Sequence, residues 1–283
     1  MDIESTKTSQ GITIPPCPAI LTQLMEELKE TPINSKKIGI LISQDVGIAA
    51  VVTRAANAPQ VSGGKRIESI SDAIHLIGFG SLANLVQEAL LHNTINISDT
   101  SLERFWDSSR YTALAASRLA AVVGHVNPDT AYTFSLFHDC GIPLLVKRYP
   151  EYKKVLGLAN KNTVRMFTQI EEEALGTSHA ILGYYLARSW GLSDSVSHGI
   201  LDHHDYAQLE DPRNLNSESH RLIAINCVAE YVAGTHLRSV QESEWRKARE
   251  GAALVLGYSP SDLDDVADDL VYQFDQALSQ QES

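Results

Sequence analysis

The sequence predicts an all-α protein. Three observations carry that prediction. Apolar residues recur at three- and four-residue spacing through nearly every segment, and no stretch alternates for long like a half-buried strand. Helix-starting residues (Asn, Asp, Ser, Pro) stand before those segments, and Gly or Pro stands after many of them. The spacing between segments varies, which argues against a solenoid of equal repeats.

The elements follow in order. Residues 1–14 are mostly polar and are expected to be a flexible N-terminus. Pro15, Pro16 and Pro18 hold the entry extended, and a helix starts near Pro18, where a missing N–H costs nothing. Ile20, Leu21, Leu24, Met25 and Leu28 form its apolar stripe, and Thr31-Pro32 ends it. A second helix runs from about Asn34 with Ile38, Leu41 and Ile42 inward. Asp45 caps a third, AAVVTRAAN. VSGGKR (61–66) reads as a loop. Ser69 or Ser71 caps SISDAIHLIGF, and Gly78-Phe79-Gly80 separates it from SLANLVQEALLHN. Residues ~15–95 therefore hold five helices by this reading.

The second half begins with the long helix LERFWDSSRYTALAASRLAAVV. Asn127-Pro128-Asp129 starts the next, read as one continuous helix to Tyr149. EYKKVLGLANK, VRMFTQIEEEAL, SHAILGYYLARSWG and SDSVSHGILDHH follow. A loop over 206–216 leads to SHRLIAINCVAEYVAG, SEWRKAREGAALVLG and DLDDVADDLVYQFDQAL. In the last, Leu263, Val266 and Leu270 make an inward stripe beside solvated carboxylates.

Composition bounds the function. Lys and Arg number 23 and Asp and Glu 35, a formal charge of −12. Such a chain repels a phosphate backbone, so no nucleic-acid partner is expected. The segment MDIESTKTSQG has no apolar core of a signal peptide, and no run reaches membrane-spanning length. Cys17, Cys140 and Cys227 are far apart, as in a reduced chain. These features lead to a cytoplasmic protein with no membrane contact.

Among ten histidines, His138 stands next to Asp139 in SLFHDCGIPLL. Imidazole and carboxylate together suit Fe, Mn, Zn or Ni. His179 opens a later helix, and His203-His204 ends another. Three such helices in one bundle can converge on a polar centre. Adjacent helical residues point about 100° apart, so at most one of His203 and His204 is expected to face inward.

Several segments, in order and spacing, resemble the HDOD family, a branch of the HD superfamily of metal-dependent phosphohydrolases. They are IPPCPAILTQLMEEL, ISQDVGIAAVVTRAAN, SISDAIHLIGFGSLANLV, FWDSSRYTALAASRLA, FSLFHDCGIPLL and EEEALGTSHAILGYYLARSWGLSDSVSHGILDHH. The resemblance implies an HDOD domain over 15–210: an N-terminal helical part (15–100) and an HD-like part (101–210). Residues 211–283 would be a C-terminal helical extension packed on it.

The resemblance also implies a ligand set. His138 and Asp139 match the central pair, and His179 with His203 or His204 matches further histidines. Ser108 stands where the family has its first histidine ligand, and Asn226 falls near its last aspartate. Ile142 replaces the motif lysine. The expectation is thus a degenerate site with a residual divalent metal at low occupancy, and Ser108 hydrogen-bonded to Asp139. Functionally, the family implies a signalling module without hydrolase activity that contacts a protein partner, with a homodimer as an option. The alternative is a metal-dependent phosphohydrolase of a nucleotide or cyclic nucleotide.

Overall fold

The structure, a computed structural model, describes residues 6–8, 10–95, 102–240 and 242–279. The expected domain boundary near residue 100 lies outside the described residues, as do residues 1–5 and 9. The chain divides into two compact units, one from Cys17–Asn96 with Ala277–Ser283, the other from Met1–Pro16 with Ile97–Gln276.

The first of these is a small helical bundle. α1 (Ala19–Glu27), α2 (Ser35–Ser43), α3 (Val46–Ala56), α4 (Pro59–Ser62), α5 (Ile70–Ile77) and α6 (Phe79–Ile95) follow one another. Its helix starts are written in side chains. Asn34, Asp45 and Ser69 each accept a backbone N–H from the third residue on. Leu24, Ile38, Ile42, Val52 and Leu82 are fully buried at its centre. One helix more is present than the periodicity suggests. Pro59 at its first turn starts the short α4, whose last two residues fall within the loop expected over 61–66.

The second unit opens with a two-stranded antiparallel hairpin, β1 (Thr6–Lys7) on β2 (Thr13–Ile14). This segment was expected to fray, but Ile12 and Ile14 are buried, and apolar burial offsets the entropy of ordering it. Trp190 donates its indole N–H to the carbonyl of Pro15, which ties the following residues down.

The helices of this unit are α7 (Glu103–Val123), α8 (Pro128–Phe137), α9 (Gly141–Arg148), α10 (Tyr152–Lys161), α11 (Phe167–Leu175), α12 (His179–Ser189) and α13 (Asp194–Asp202). A 3-10 turn (Tyr206–Glu210) leads to α14 (Glu218–His236), α15 (Glu242–Leu256) and α16 (Pro260–Ser279). α14 packs on α7, α8, α13 and α15, so it is an inner helix rather than an appendage. That is why it is buried all round, from Leu222 to Ala229. On α16 the buried stripe is Leu263, Ala267, Leu270 and Phe274; Val266 sits at its half-buried edge.

One expected helix is broken. Residues 128–148 form α8 and α9 with a turn at His138-Asp139-Cys140. Pro143 lacks the N–H that would continue the ladder to Asp139, and the Asp139 carbonyl is taken instead by Ile142 N at 2.9 Å. Gly141 allows the two chains to touch. A Cβ there would lie 2.1 Å from the carbonyl oxygen of His179. The break therefore brings the His-Asp pair against the start of α12.

Candidate metal centre

Helix ends build this site. His138 is the C-cap of α8 and His203 the C-cap of α13. Each turns its Nδ1 onto a carbonyl of its own last turn, Ser135 O and Ile200 O, both at 2.7 Å. A carbonyl only accepts, so Nδ1 carries the proton and Nε2 faces forward. The helix end gains a partner for an orphan carbonyl, and the ring gains a fixed tautomer.

His179 sits at the opposite kind of end, the first residue of α12. Its backbone N–H has no helical partner, and Glu171 of α11 accepts it at 3.0 Å. The same carboxylate oxygen accepts from His179 Nδ1 at 2.6 Å, and the other accepts from Tyr152 OH at 2.5 Å. A carboxylate at a helix N-terminus is also favoured by the macrodipole. Burial works against its charge, yet His179 outweighs it and holds the Glu171 carboxyl below its ordinary value.

His204 completes the set. Its Nδ1 lies 3.1 Å from Glu244 Oε2, which also accepts from Tyr206 OH at 2.9 Å. Lys247 donates to the other oxygen at 2.8 Å. Burial opposes the Glu244 charge, but His204 and Lys247 hold its carboxyl at about 2. All four rings thus have Nδ1 committed to a carbonyl or carboxylate, the arrangement that aims imidazole lone pairs at a metal.

Asp139 lies at the meeting point. Its Oδ1 is 3.2 Å from His179 Nε2 and 3.5 Å from His203 Nε2. Its Oδ2 is 3.4 Å from His138 Nε2, which is 3.3 Å from Glu230 Oε1 on α14. The ligand atoms of Asp139, His179, His203 and His204 lie within 4.8 Å of one another, and so do those of His138, Asp139 and Glu230. Ligands bound at ~2.0–2.2 Å to one cation are spaced roughly 3–4 Å apart. The donor set and its spacing fit a divalent ion of the Fe, Mn, Zn or Ni class.

The protonation pattern agrees. Burial disfavours a charged His138, but Asp139 and Glu230 outweigh it and raise its pKa well above the ordinary value. In His179, burial is likewise overcome by Glu171 and Asp139, which raise it to about 10. His203 goes the other way, to about 3, through burial and the neighbouring His204. His179 Nε2 stands 3.2 Å from His203 Nε2, so a charged His179 donates to a neutral His203. The pocket therefore draws positive charge to the Nε2 side of His138 and His179.

The expected residues fare differently. His138, Asp139 and His179 converge as the sequence suggests. His203 and His204 both enter the cluster, not one of them. The helix ends at Asp202, and a turn carries the two rings to the same side, so the helical angle no longer applies. Asp139 takes its side-chain partners from three histidines rather than from Ser108. Ser108 instead lines a small cavity of about 40 Å³ together with Tyr206, Glu230, Tyr231, Glu244 and Trp245. Ile142 is buried in α9. Asn226 is buried on α14 and donates to Glu230 Oε2 at 3.1 Å.

Glu171, Glu230, Glu244, Tyr152 and Tyr206 were missed. Glu230 had a signal: it follows Asn226 by four residues, on the same helix face. The others carry no clear local signal, because the bonds that tie Glu171 to His179, Tyr152 to Glu171 and Glu244 to His204 and Tyr206 span 8 to 40 residues.

The chain is similar to known proteins throughout. The HDOD domain model matches residues 14–206. An uncharacterised protein of Treponema pallidum (strain Nichols) is 25% identical over 213 residues, which is 71% of this chain. The chain spans 40% of that curated relative's length. Among solved structures, an HDOD domain protein of unknown function from Geobacter sulfurreducens superposes with a TM-score of 0.68 at 22% identity, over 95% of this chain and 93% of the other. A candidate phosphohydrolase from Shewanella amazonensis SB2B gives 0.66 at 20%, over 95% and 94%. A candidate signal transduction protein from Marinobacter aquaeolei VT8 gives 0.74 at 19%, over 99% of this chain and 61% of the other. Sequence and fold together place the chain in the HDOD family.

Proposed function

We propose that this chain is a cytoplasmic regulatory HDOD module. It acts by contact with a partner protein and holds a divalent cation in its His-Asp cluster without turning over a phosphoester. One observation carries the regulatory half of the reading. The cavity beside the cluster is small, and its lining includes the carboxylates Glu230 and Glu244 but neither Arg nor Lys. A phosphoester substrate needs cationic groups around its oxygens, and the described lining offers none. Ile142, at the position of the family's lysine, is consistent with this.

A second reading rests on the donor set itself. Four imidazoles and a carboxylate aimed inward are sufficient to hold a catalytic cation, which when bound supplies Lewis acidity. Under that reading the chain is a metal-dependent phosphohydrolase.

Elemental analysis of the purified protein tests the metal that both readings share, and a turnover assay decides between them. Elemental analysis is expected to find a transition metal that His179→Ala removes. Incubation with a chromogenic phosphodiester or with nucleotides, in Mn²⁺ or Fe²⁺, is expected to show no turnover above the His179→Ala background. Metal-dependent turnover that vanishes in that variant establishes the hydrolase instead.

A further inference from the structure

Two positions stand out in the centre because their residue types are poor ligands. Ser108 on α7 and Asn226 on α14 occupy places where the family resemblance implies a histidine and an aspartate. Both adjoin Glu230: Ser108 shares its cavity, and Asn226 donates its amide N–H to Glu230 Oε2 at 3.1 Å. Glu230 stands one helical turn beyond Asn226 and brings its other oxygen, Oε1, to 3.3 Å from His138 Nε2.

Three further facts bear on what that oxygen is for. His138 has its Nδ1 committed to Ser135 O, so the ring meets Glu230 with Nε2 alone. Asp139 Oδ2 lies on the same side, 3.4 Å from that nitrogen. Asn226 is buried, and its own carbonyl oxygen has no hydrogen-bond partner, so the amide is oriented to serve Glu230 through its N–H. An amide that holds a carboxylate in place is the usual neighbour of a ligating carboxylate. The Glu230 side chain is 32% exposed, which leaves this side of the centre open to solvent.

We infer that Glu230 is a relocated metal ligand: with His138 and Asp139 it forms the carboxylate-rich side of the divalent-cation site, and Asn226 orients it. The inference rests on the metal-binding reading above. Under it, Asn226 supports Glu230 from one turn earlier on α14, through its N–H to Oε2.

The test is the affinity for Mn²⁺ of the intact protein, titrated after chelator treatment. Glu230→Gln removes the charge. Glu230→Asp keeps the charge but withdraws the oxygens by roughly one bond length of 1.5 Å. Both variants are expected to bind Mn²⁺ more than about a hundredfold more weakly, beyond the ~10–100-fold that loss of a supporting contact costs. Adding Asn226→Asp to Glu230→Gln returns a carboxylate one turn back and is expected to recover most of the loss. The unfolding midpoint of each variant in chelator, close to that of the parent, shows that the fold is kept. Glu230→Asp with parental affinity overturns the inference, because a general effect of charge then suffices. Parental affinity in Glu230→Gln overturns it as well. A parent protein that binds no Mn²⁺ overturns the metal-binding reading, and the inference with it.

Discussion

At the scale of single residues, the centre depends on close approach. Gly141 lies where α9 begins, and its missing side chain lets the His138–Cys140 turn meet the backbone of His179. A methyl group at this position would overlap a carbonyl, which is not the movable end of a flexible chain. Gly141→Ala is therefore expected to cost about 1–3 kcal/mol or more, the range of overpacked cores. Because the shift pushes Asp139 away from His179, metal affinity should fall with stability. Thermal unfolding and Mn²⁺ titration of the variant check both. A variant as stable as the parent shows that α9 and α12 are free to separate.

The residues of the centre differ in how visible they are in the chain. His138-Asp139 is a dipeptide, and His203-His204 another, so each advertises itself. Glu171 does not. It is one of three consecutive glutamates in a helix whose other face is exposed, and nothing in Glu171-Glu172-Glu173 says which is the buried one. Its role follows from Tyr152 and His179 arriving on either side of it.

At the scale of elements, periodicity located most helices and side-chain caps located their starts. It failed where chemistry interrupts a period. The segment from Ala131 to Val146 reads as one helix because α8 and α9 are each buried on nearly every side, so no exposed face marks the turn between them. α16 shows how a late helix is held. Its stripe of Leu263, Ala267, Leu270 and Phe274 is buried, and Arg249 of α15 pairs with Asp264 at its start, with Nε to Oδ1 at 2.7 Å. Hydrogen bonding to Arg249 holds the Asp264 carboxyl below its ordinary value. A depressed carboxylate contributes stability above its unfolded pKa of about 3.9 and loses it as pH falls through the lower, folded value. The pair is partly exposed, so its worth is small, ~0–1 kcal/mol. Asp264→Asn should thus lower the unfolding midpoint slightly at pH 7, by a margin that shrinks as the pH falls below the ordinary carboxylate range. A difference that persists in acid would mean that packing, not charge, is lost.

At the scale of the whole molecule, the metal and the fold are linked. The ligands come from the ends of α8, α12 and α13 and from α14, elements that are far apart in the chain. Under the metal-binding reading, the unfolded chain cannot gather them, so a cation would bind the folded form alone. An ion at a hundred times its dissociation constant then stabilises by about 2.7 kcal/mol. Purified protein is expected to melt at a higher temperature in excess Mn²⁺ or Zn²⁺ than in chelator, and His179→Ala to show no such gap. Differential scanning calorimetry in both buffers measures it. No single described helix is long and apolar enough to cross a membrane.

Fold class, helix starts, family and the His-Asp pair were all legible in the chain. Each depends on neighbours a few residues apart, and local spacing records such neighbours. The relation of Ser108 and Asn226 to Glu230, the entry of both His203 and His204, and the buried carboxylates behind the rings were decided by tertiary structure. These depend on which helix ends meet, and a chain position carries no record of the helix that packs against it.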